Sequence, residues 1–279
     1  MTNAEYIGVD LGGTSFNVGL VHSGMLLEET SRKIVSNASS DTILSVLTDA
    51  IEEVKTKDVK GIGVGVPGIV DTQNGMIYDI QNIPAWQEVP LQQILQDKFK
   101  VPVVLNNDAN CFALGEKRFG KGKEFTDFVG LSIGTGLGMG VIINNTLYPG
   151  VLCGAGEIGM LPYKDGIVEE YAGSFFFIRE YGTSAKELHK EALNGDRKAI
   201  KAFEEFGAHL GEAIKMILFM YAPQAIIMGG SIAKAFRFFE PSMQDAVQQF
   251  PYSKQIEQLK ILTSSHPNLP ILGASALCI

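Results

Sequence analysis

The stretch NNDAN, residues 106–110, places one carboxylate among amides at a predicted junction between a strand and a helix. The hydrophobic run VPVVL precedes it, and a segment with helical apolar spacing follows it. Asn and Asp at such a junction can simply cap the helix. The carboxyl ends of strands in α/β domains also bind ligands, and a carboxylate there can accept a proton from a hydroxyl group. These residues alone leave both interpretations of Asn107 and Asp108 open.

Two glycine-rich turns are a second candidate site, DLGGT at 10–14 and SIGTGLG at 132–138. Glycine lets backbone N–H groups approach a phosphate, and Thr14 and Thr135 add hydroxyl donors. The alternative is two hairpin turns that need positive φ. Neither turn matches GxxxxGK[ST] or a GxGxxG that opens a helix, which excludes P-loop and Rossmann sites. Their repetition, together with MGGS at 228–231, favours a nucleotide held between two related domains.

Further acidic and amide side chains suit a neutral polyhydroxylated ligand, since hydroxyl groups need such hydrogen-bond partners. They are Asn82 in QNIPAW, Glu157 in GAGEIGM and Glu169 in VEEYAG. Asp10, at the end of the first predicted strand, can reach a metal–phosphate assembly, often through water. The alternative for Asp10 is a carboxylate that stabilises the turn.

The elements that must position these residues alternate between strands and helices. Strands are predicted at YIGVDL, KGIGVGV, VPVVLNN and AIIMGGS, and helices from about Asp41, as the N-cap, to Lys57 and from about Arg197 to Tyr221. The first glycine-turned hairpin is echoed later, because Gly12 corresponds to Gly134 and Leu20 to Ile142 at the same offset. This internal repeat predicts two related α/β domains.

Composition restricts the kinds of partner. The chain has 279 residues, 46% of them hydrophobic, and a formal net charge of −8. An acidic chain lacks the electrostatic footprint of a protein that binds nucleic acid or an anionic membrane. No apolar run reaches membrane-spanning length, and the N-terminus does not resemble a signal peptide. Three scattered cysteines indicate a reducing compartment, so we expect a cytoplasmic protein.

Taken together, the motifs resemble the ROK family of sugar kinases and repressors, within the actin-like ATPase superfamily. The resemblance covers nearly the whole chain. It is carried, in family order, by YIGVDLGGT, GIGVGVPGIVD, NIPAW, NNDANCFALGE, SIGTGLGMGVIINNTLYPG, GAGEIG and IIMGGSIA.

The resemblance implies two actin-like, ribonuclease H-like domains with an interdomain cleft: 1–110 plus 267–279, and a larger domain at 111–266. It implies ATP and Mg²⁺ as cofactors, a homodimer, and transfer of the γ-phosphoryl group to a hexose hydroxyl, with Asp108 as the base. The implied sugar-binding residues are Gly68, Asn82, Asn107, Asp108, Glu157, Met160 and Glu169. The implied nucleotide-binding residues are Asp10 (also for Mg²⁺), Gly12, Gly13, Thr14, Thr135, Gly136, Gly229 and Gly230.

The chain departs from the family pattern at Met160, where the family usually has a histidine that contacts the sugar near C1 and C2 and binds a structural zinc. The family's zinc cysteines are also missing from LPYKDGIVEEYAG, so no zinc is expected. We expect packing to hold this loop instead, for instance by Tyr163, Val168, Tyr171 and Phe175. An apolar Met160 favours a sugar substituted at C1 or C2. A β-glucoside such as cellobiose is the preferred prediction, and N-acetylmannosamine or glucose are the alternatives.

Two other classes of function compete with a kinase. A ROK repressor carries a helix-turn-helix before the first glycine turn, and the first predicted strand at about Tyr6 leaves no room for one. A sugar sensor without catalysis is disfavoured by Asp108 and both glycine turns, although Met160 keeps it open.

Overall fold

The protein is a mixed α/β protein, as predicted, and its computed structural model describes residues 4–12, 15–80 and 83–279. The strands are β1 (Glu5–Leu11), β2 (Ser15–His22), β3 (Met25–Lys33), β4 (Val59–Val66), β5 (Ile69–Asp71), β6 (Met76–Tyr78), β7 (Glu88–Val89), β8 (Val103–Asn107), β9 (Phe128–Ile133), β10 (Leu137–Ile143), β11 (Thr146–Leu147), β12 (Pro162–Tyr163), β13 (Gly166–Ile167), β14 (Ala225–Gly229) and β15 (Lys260–Thr263). The α-helices are α1 (Ser40–Val54), α2 (Leu91–Phe99), α3 (Asp108–Arg118), α4 (Val168–Ala172), α5 (Ser174–Tyr181), α6 (Ala185–Leu193), α7 (Arg197–Tyr221), α8 (Phe236–Val247), α9 (Ser253–Gln258) and α10 (Leu269–Ala276).

Two five-stranded sheets have the same pattern, which confirms the internal repeat. Their orders are β3-β2-β1-β4-β8 and β11-β10-β9-β14-β15. In the first sheet β1 pairs antiparallel with β2 and parallel with β4, and β4 pairs parallel with β8. In the second, β14 pairs parallel with both β9 and β15. Each sheet therefore joins a hairpin to parallel strands whose carboxyl ends lie at one edge.

The chain folds into two compact units. Unit 1 comprises 1–124, 140–155 and 265–279, and unit 2 comprises 125–139 and 156–264. Within unit 1, a Cβ added to Gly140 would lie 2.5 Å from the carbonyl oxygen of Ala109, so β10 approaches α3 closely there. The predicted domain boundary at residue 110 remains a prediction, and the units group 111–124 and 140–155 with the N-terminal part.

Glycines let α10 lie directly against the first sheet. A Cβ added to Gly63 of β4 would lie 1.7 Å from the carbonyl oxygen of Ala274, and one added to Gly8 of β1 would lie 1.9 Å from that of Ile271. On its other side α10 meets α3, where a Cβ on Gly273 would lie 1.8 Å from the carbonyl oxygen of Cys111. The sheet and α3 are therefore joined through α10, and this arrangement fixes where α3 begins.

Helix α1 buries one apolar side in the core of unit 1, with Leu47, Ile51 and Val54 at 1% exposure or less. Its N-cap is Ser39, whose hydroxyl accepts from the backbone N–H of Thr42, so the prediction of Asp41 as the cap was wrong. Serine takes this role because its short side chain reaches the open N–H groups of the first turn.

None of the helices in the described residues is sufficiently long and apolar to span a lipid bilayer.

Candidate active site

The parallel strands of the first sheet bring two predicted carboxylates to one edge. In the register of these strands, Asp10 of β1 pairs with Gly65 of β4, and Gly65 pairs with Asn106 of β8. Asp108 begins α3 directly after β8. Gly65 allows the close approach, since a Cβ added there would lie 3.5 Å from the Cα of Asp108. Asp10 and Asp108 therefore lie in one site of unit 1.

Asn107 of the NNDAN motif caps α3, which confirms one of the two interpretations of this motif. Oδ1 of Asn107 accepts from the backbone N–H groups of Ala109 at 2.9 Å and Asn110 at 3.3 Å. Oδ1 of Asn106 accepts from Asn107 N at 2.9 Å and from Asn110 Nδ2 at 2.9 Å. These bonds fix the backbone on both sides of Asp108. The other interpretation, sugar binding by Asn107 and Asp108, remains a prediction.

The two carboxylates share an environment that disfavours negative charge. Burial raises the pKa of Asp10 to about 6, with a decrease from the Asn17 amide and a further increase from the charge of Asp108. That amide donates to Oδ2 of Asp10 at 3.2 Å. Burial also raises the pKa of Asp108, against a backbone hydrogen bond from Ala109 at 2.9 Å. A cation would relieve the unfavourable charge, and carboxylate oxygen is the ligand type that Mg²⁺ prefers.

Two predicted glycines of unit 1 form turns close to this edge. Gly12 donates its N–H to the carbonyl oxygen of Ser15 at 2.9 Å. Gly68 has φ +83°, and its carbonyl oxygen accepts from Nδ2 of Asn107 at 3.3 Å. The predicted site residues Gly13, Thr14 and Asn82 lie outside the described residues.

In unit 2, side chains and backbone of α4 and α5 form hydrogen bonds with the second glycine turn. The Leu137 N–H donates to Oε2 of Glu169 at 2.9 Å, and a Cβ added to Gly136 would lie 2.2 Å from the same oxygen. Ser174 donates its backbone N–H to Gly134 O at 3.0 Å and its hydroxyl to the carbonyl oxygen of Thr135 at 3.1 Å. The structure therefore brings Thr135, Gly136 and Glu169 together.

The EIGM stretch, which begins with Glu157, lies close to Leu137 and Glu169 in unit 2. Glu157 precedes the 3₁₀ turn Ile158–Met160, and the Met160 N–H donates to its carbonyl oxygen at 3.2 Å. A Cβ on Gly159 would lie 2.9 Å from Leu137 O and 3.3 Å from Cβ of Glu169. The Met160 side chain is 55% exposed.

The glycine pair after β14 completes this group. Gly229 ends β14 and pairs with Ser132 of β9. Gly230 has φ +88°, and a Cβ there would lie 2.3 Å from the carbonyl oxygen of Ile133. Only glycine fits this position, because both the backbone conformation and the space exclude a side chain.

An aromatic cluster lies behind the Glu169 segment, and we define it as Tyr163, Tyr171, Phe176 and His209. Tyr163 and Tyr171 meet edge to face with ring centroids 5.2 Å apart, and each also packs on His209 of α7. The Tyr163 hydroxyl lies 3.0 Å from Nδ1 of His209. Burial lowers the pKa of His209 to about 4, so this imidazole is neutral at neutral pH.

The expected packing of the loop is confirmed for Tyr163 and Tyr171, and for Val168, which is 1% exposed, but it was wrong for Phe175. Phe175 is 48% exposed, whereas Phe176, the next residue of α5, is 2% exposed and meets His209. The rotation of α5 turns Phe176 inward. His209 was missed because it lies far along the chain, on α7.

Metal ligands are sparse among the residues that the structure describes. Among them, no group of three or more His, Cys, Asp and Glu side chains is arranged to hold a metal ion. Mg²⁺ binding by Asp10, directly or through water, remains a prediction.

Comparison with known proteins agrees with this architecture. The ROK family model matches residues 6–279. The chain is 29% identical over 315 residues to a glucokinase of Thermotoga maritima, covering 99% of this chain and 98% of that protein. It is 31% identical over 296 residues to a xylose repressor of Bacillus subtilis, covering 98% of this chain and 76% of the repressor.

A solved structure shows the same fold. A ROK family glucokinase from Streptomyces griseus, in complex with glucose and AMPPNP, superposes with a TM-score of 0.85 at 24% identity, covering 98% of this chain and 99% of that one. This likeness confirms the predicted actin-like fold class. With its family model matched over nearly the full length, the chain belongs to the ROK family.

Proposed function

We propose that this protein is an ATP-dependent sugar kinase that phosphorylates a hexose hydroxyl, with O6 as the proposed acceptor. The observation that carries the proposal is the pair of half-buried carboxylates on either side of β4, Asp10 near the end of β1 and Asp108 directly after β8. Burial raises the pKa of both. One carboxylate beside a cation and one beside a substrate hydroxyl is the arrangement that phosphoryl transfer needs. The 29% identity to a glucokinase supports the same class of reaction.

In the proposed reaction, the oxygen of the sugar hydroxyl forms a bond to the γ-phosphorus. Asp108 accepts the proton of that hydroxyl. The bond between that phosphorus and the β–γ bridging oxygen breaks, and ADP leaves. Asn107 and Glu157 are the proposed hydrogen-bonding partners of the other hydroxyls. Backbone N–H groups of the turns at 10–14 and 132–138 would face the phosphates. Mg²⁺ held by Asp10 would neutralise phosphate charge when bound.

For the substrate, we propose a hexose that carries an apolar-compatible substituent at C1, a β-glucoside such as cellobiose. Met160 supports this, because a large apolar side chain that is 55% exposed can contact a second sugar ring or an aglycone. N-acetylmannosamine and glucose are the alternative substrates. We further propose that the protein acts in the cytoplasm as a homodimer and without structural zinc.

The test is ADP release by the purified protein with Mg·ATP and a panel of glucose, cellobiose, an aryl β-glucoside, N-acetylmannosamine, fructose and xylose. Turnover on at least one sugar, lost in Asp108→Asn with an unchanged melting temperature, supports the kinase. Met160→His, tested on the same panel, should shift the preference toward free glucose. Preference of the unaltered protein for free glucose over every substituted sugar would overturn the proposal for the substrate.

A sugar-responsive protein without catalysis is the second candidate, supported by the 31% identity to a xylose repressor. Titration calorimetry separates the two. Sugar binding without ADP release in any member of the panel favours the sensor and contradicts the kinase.

A further inference from the structure

The stretch at 150–155 in unit 1 holds two strained residues in a row. Leu152 and Cys153 have φ of 52° and 59°, in the left-handed region that side chains other than glycine rarely adopt. Such a conformation is unfavourable for a residue with a side chain and persists only where surrounding contacts hold it. Leu152 is 42% exposed, whereas Cys153 is 3% exposed. The buried Cys153, rather than the exposed Leu152, therefore makes the contacts that hold this strained stretch.

Cys153 makes its contact with the amide network beside Asp108. Its Sγ lies 3.3 Å from Oδ1 of Asn106, inside the unit. Burial raises the pKa of the Cys153 thiol, so the thiol stays protonated and can donate to this oxygen. The same oxygen accepts from Asn107 N and from Nδ2 of Asn110, each at 2.9 Å. One amide oxygen thus joins the strained stretch, the end of β8 and the first turn of α3.

This junction controls the backbone from which Asp108 projects. Asn106 and Asn107 precede Asp108, and Asn110 lies in the first turn that Asp108 begins. A rotation of the Asn106 amide would release the bonds to Asn107 and Asn110 together, and so shift the origin of the Asp108 side chain. A misplacement of about 1 Å can reduce the rate of a reaction that depends on alignment about a hundredfold.

We infer that Cys153 is a positioning residue for the proposed kinase reaction: its thiol fixes the Asn106 amide and, through it, the carboxylate of Asp108. The inference rests on the proposed function, because it assigns the thiol a role in that reaction. It explains why a non-glycine residue is kept at φ 59°, where glycine would be free of strain. The hydrogen bond of the thiol offsets the conformational cost.

The test compares three variants whose effects on strain and on the hydrogen bond differ. Cys153→Gly relieves the strain and removes the thiol, Cys153→Ser keeps a donor, and Leu152→Gly relieves the neighbouring strain without touching Asn106. We expect Cys153→Gly to lower kcat about tenfold while the melting temperature stays the same or rises, since misalignment costs rate rather than stability. The kcat of Cys153→Ser should stay within about threefold of that of the unaltered protein, and the kcat of Leu152→Gly should equal that of the unaltered protein. Neither change removes the alignment of Asp108.

Hydrogen exchange measured by mass spectrometry on peptides covering 106–118 tests the anchor without any turnover. We expect faster exchange in Cys153→Gly and unaltered exchange in Leu152→Gly. Unaltered kcat and exchange in Cys153→Gly would overturn the inference, as would a loss of kcat that only follows a loss of stability. If the unaltered protein turns over no sugar, the proposed function fails, while the exchange measurement still decides whether the thiol holds the amide.

Discussion

Burial raises the pKa of Asp108, so the protonation of this side chain should limit the proposed reaction on the acid side. A general base must be ionised, and an ordinary aspartate is ionised above about pH 4. We therefore expect kcat/KM for the sugar to fall, as pH is lowered, well before that value is reached. The profile should be measured with saturating Mg·ATP, so that the charge of Asp10 is already neutralised. A profile that falls only at the pH at which an ordinary aspartate becomes protonated would contradict the raised pKa of Asp108 as the limit on the reaction.

The ionised Asp10 carboxylate should lower the free energy of unfolding of the metal-free protein at neutral pH. Its pKa is raised to about 6, so the stability that it contributes is fully present below its unfolded value of 3.8 and is lost as pH rises through about 6. Asp10→Asn, which keeps an acceptor for Asn17, should therefore stabilise the Mg²⁺-free protein at pH 7.5 by about 1–2 kcal/mol. The gain should shrink toward pH 4. Urea denaturation at the two pH values measures it, and equal stabilities at pH 7.5 would refute the expectation.

At the residue scale, the sequence predicted which residues form the candidate site but not the bonds that fix their positions. NNDAN indicated both a cap and a carboxylate because these properties depend on residue type and local spacing. The thiol of Cys153 could not be connected to Asn106, since they are far apart in sequence and nothing in their types indicates the contact. The raised pKa values of Asp10 and Asp108 likewise depend on burial by distant strands.

At the scale of elements, the second glycine turn should tolerate a side chain at one glycine and reject it at another. A Cβ on Gly136 would lie 2.2 Å from Oε2 of Glu169, whereas the nearest atom to a Cβ on Gly134 is 3.8 Å away. Gly136→Ala should displace Glu169 from Leu137 N and destabilise the fold by about 1–3 kcal/mol, as overpacking does. Gly134→Ala should cost less than about 1 kcal/mol, since its Cβ would make only an ordinary van der Waals contact with Oγ of Ser231. Thermal denaturation of the two variants measures these losses of stability. Equal losses would show that the hydrogen bond from Leu137 N to Glu169 does not fix the turn.

The predictability of the elements followed their periodicity. Long elements such as α7 could be predicted because their apolar spacing repeats over several turns. The hairpin of β12 and β13 and the short helix α4 could not, because their strands and turns are too brief to show a period. Tyr163 and Tyr171 are held there by His209 of α7, which is a contact that no local pattern encodes.

For the molecule as a whole, His209 should make stability depend on pH in the opposite direction from Asp10. Its folded pKa of about 4 lies below the ordinary histidine value of 6.5, so the stability it contributes is present above 6.5 and is lost as pH falls toward 4. His209→Gln should reduce the difference in urea midpoint between pH 7 and pH 5. Tyr163→Phe is the matched control, because it removes a hydrogen bond but keeps the imidazole. A difference that His209→Gln leaves unaltered would exclude His209 as its source.

The repeat of the two sheets was predictable at this scale, because both glycine-turned hairpins carry the same order of residue types. The grouping of the chain into units was harder to predict. It depends on the glycines of α3, β4 and α10, which admit backbone at distances that sequence spacing does not reveal.

The position of α10 in the chain has a consequence for the order in which the protein can be made. Unit 1 begins with β1, yet its sheet is covered by α10, which the ribosome adds only after all of unit 2. The glycines Gly8 and Gly63 leave bare backbone on β1 and β4 until that helix arrives. During synthesis the first sheet therefore stays uncovered until all of unit 2 has been made, whereas unit 2 can fold before α10 is added. We therefore expect nascent chains that stop before α10 to be the ones that chaperones retain.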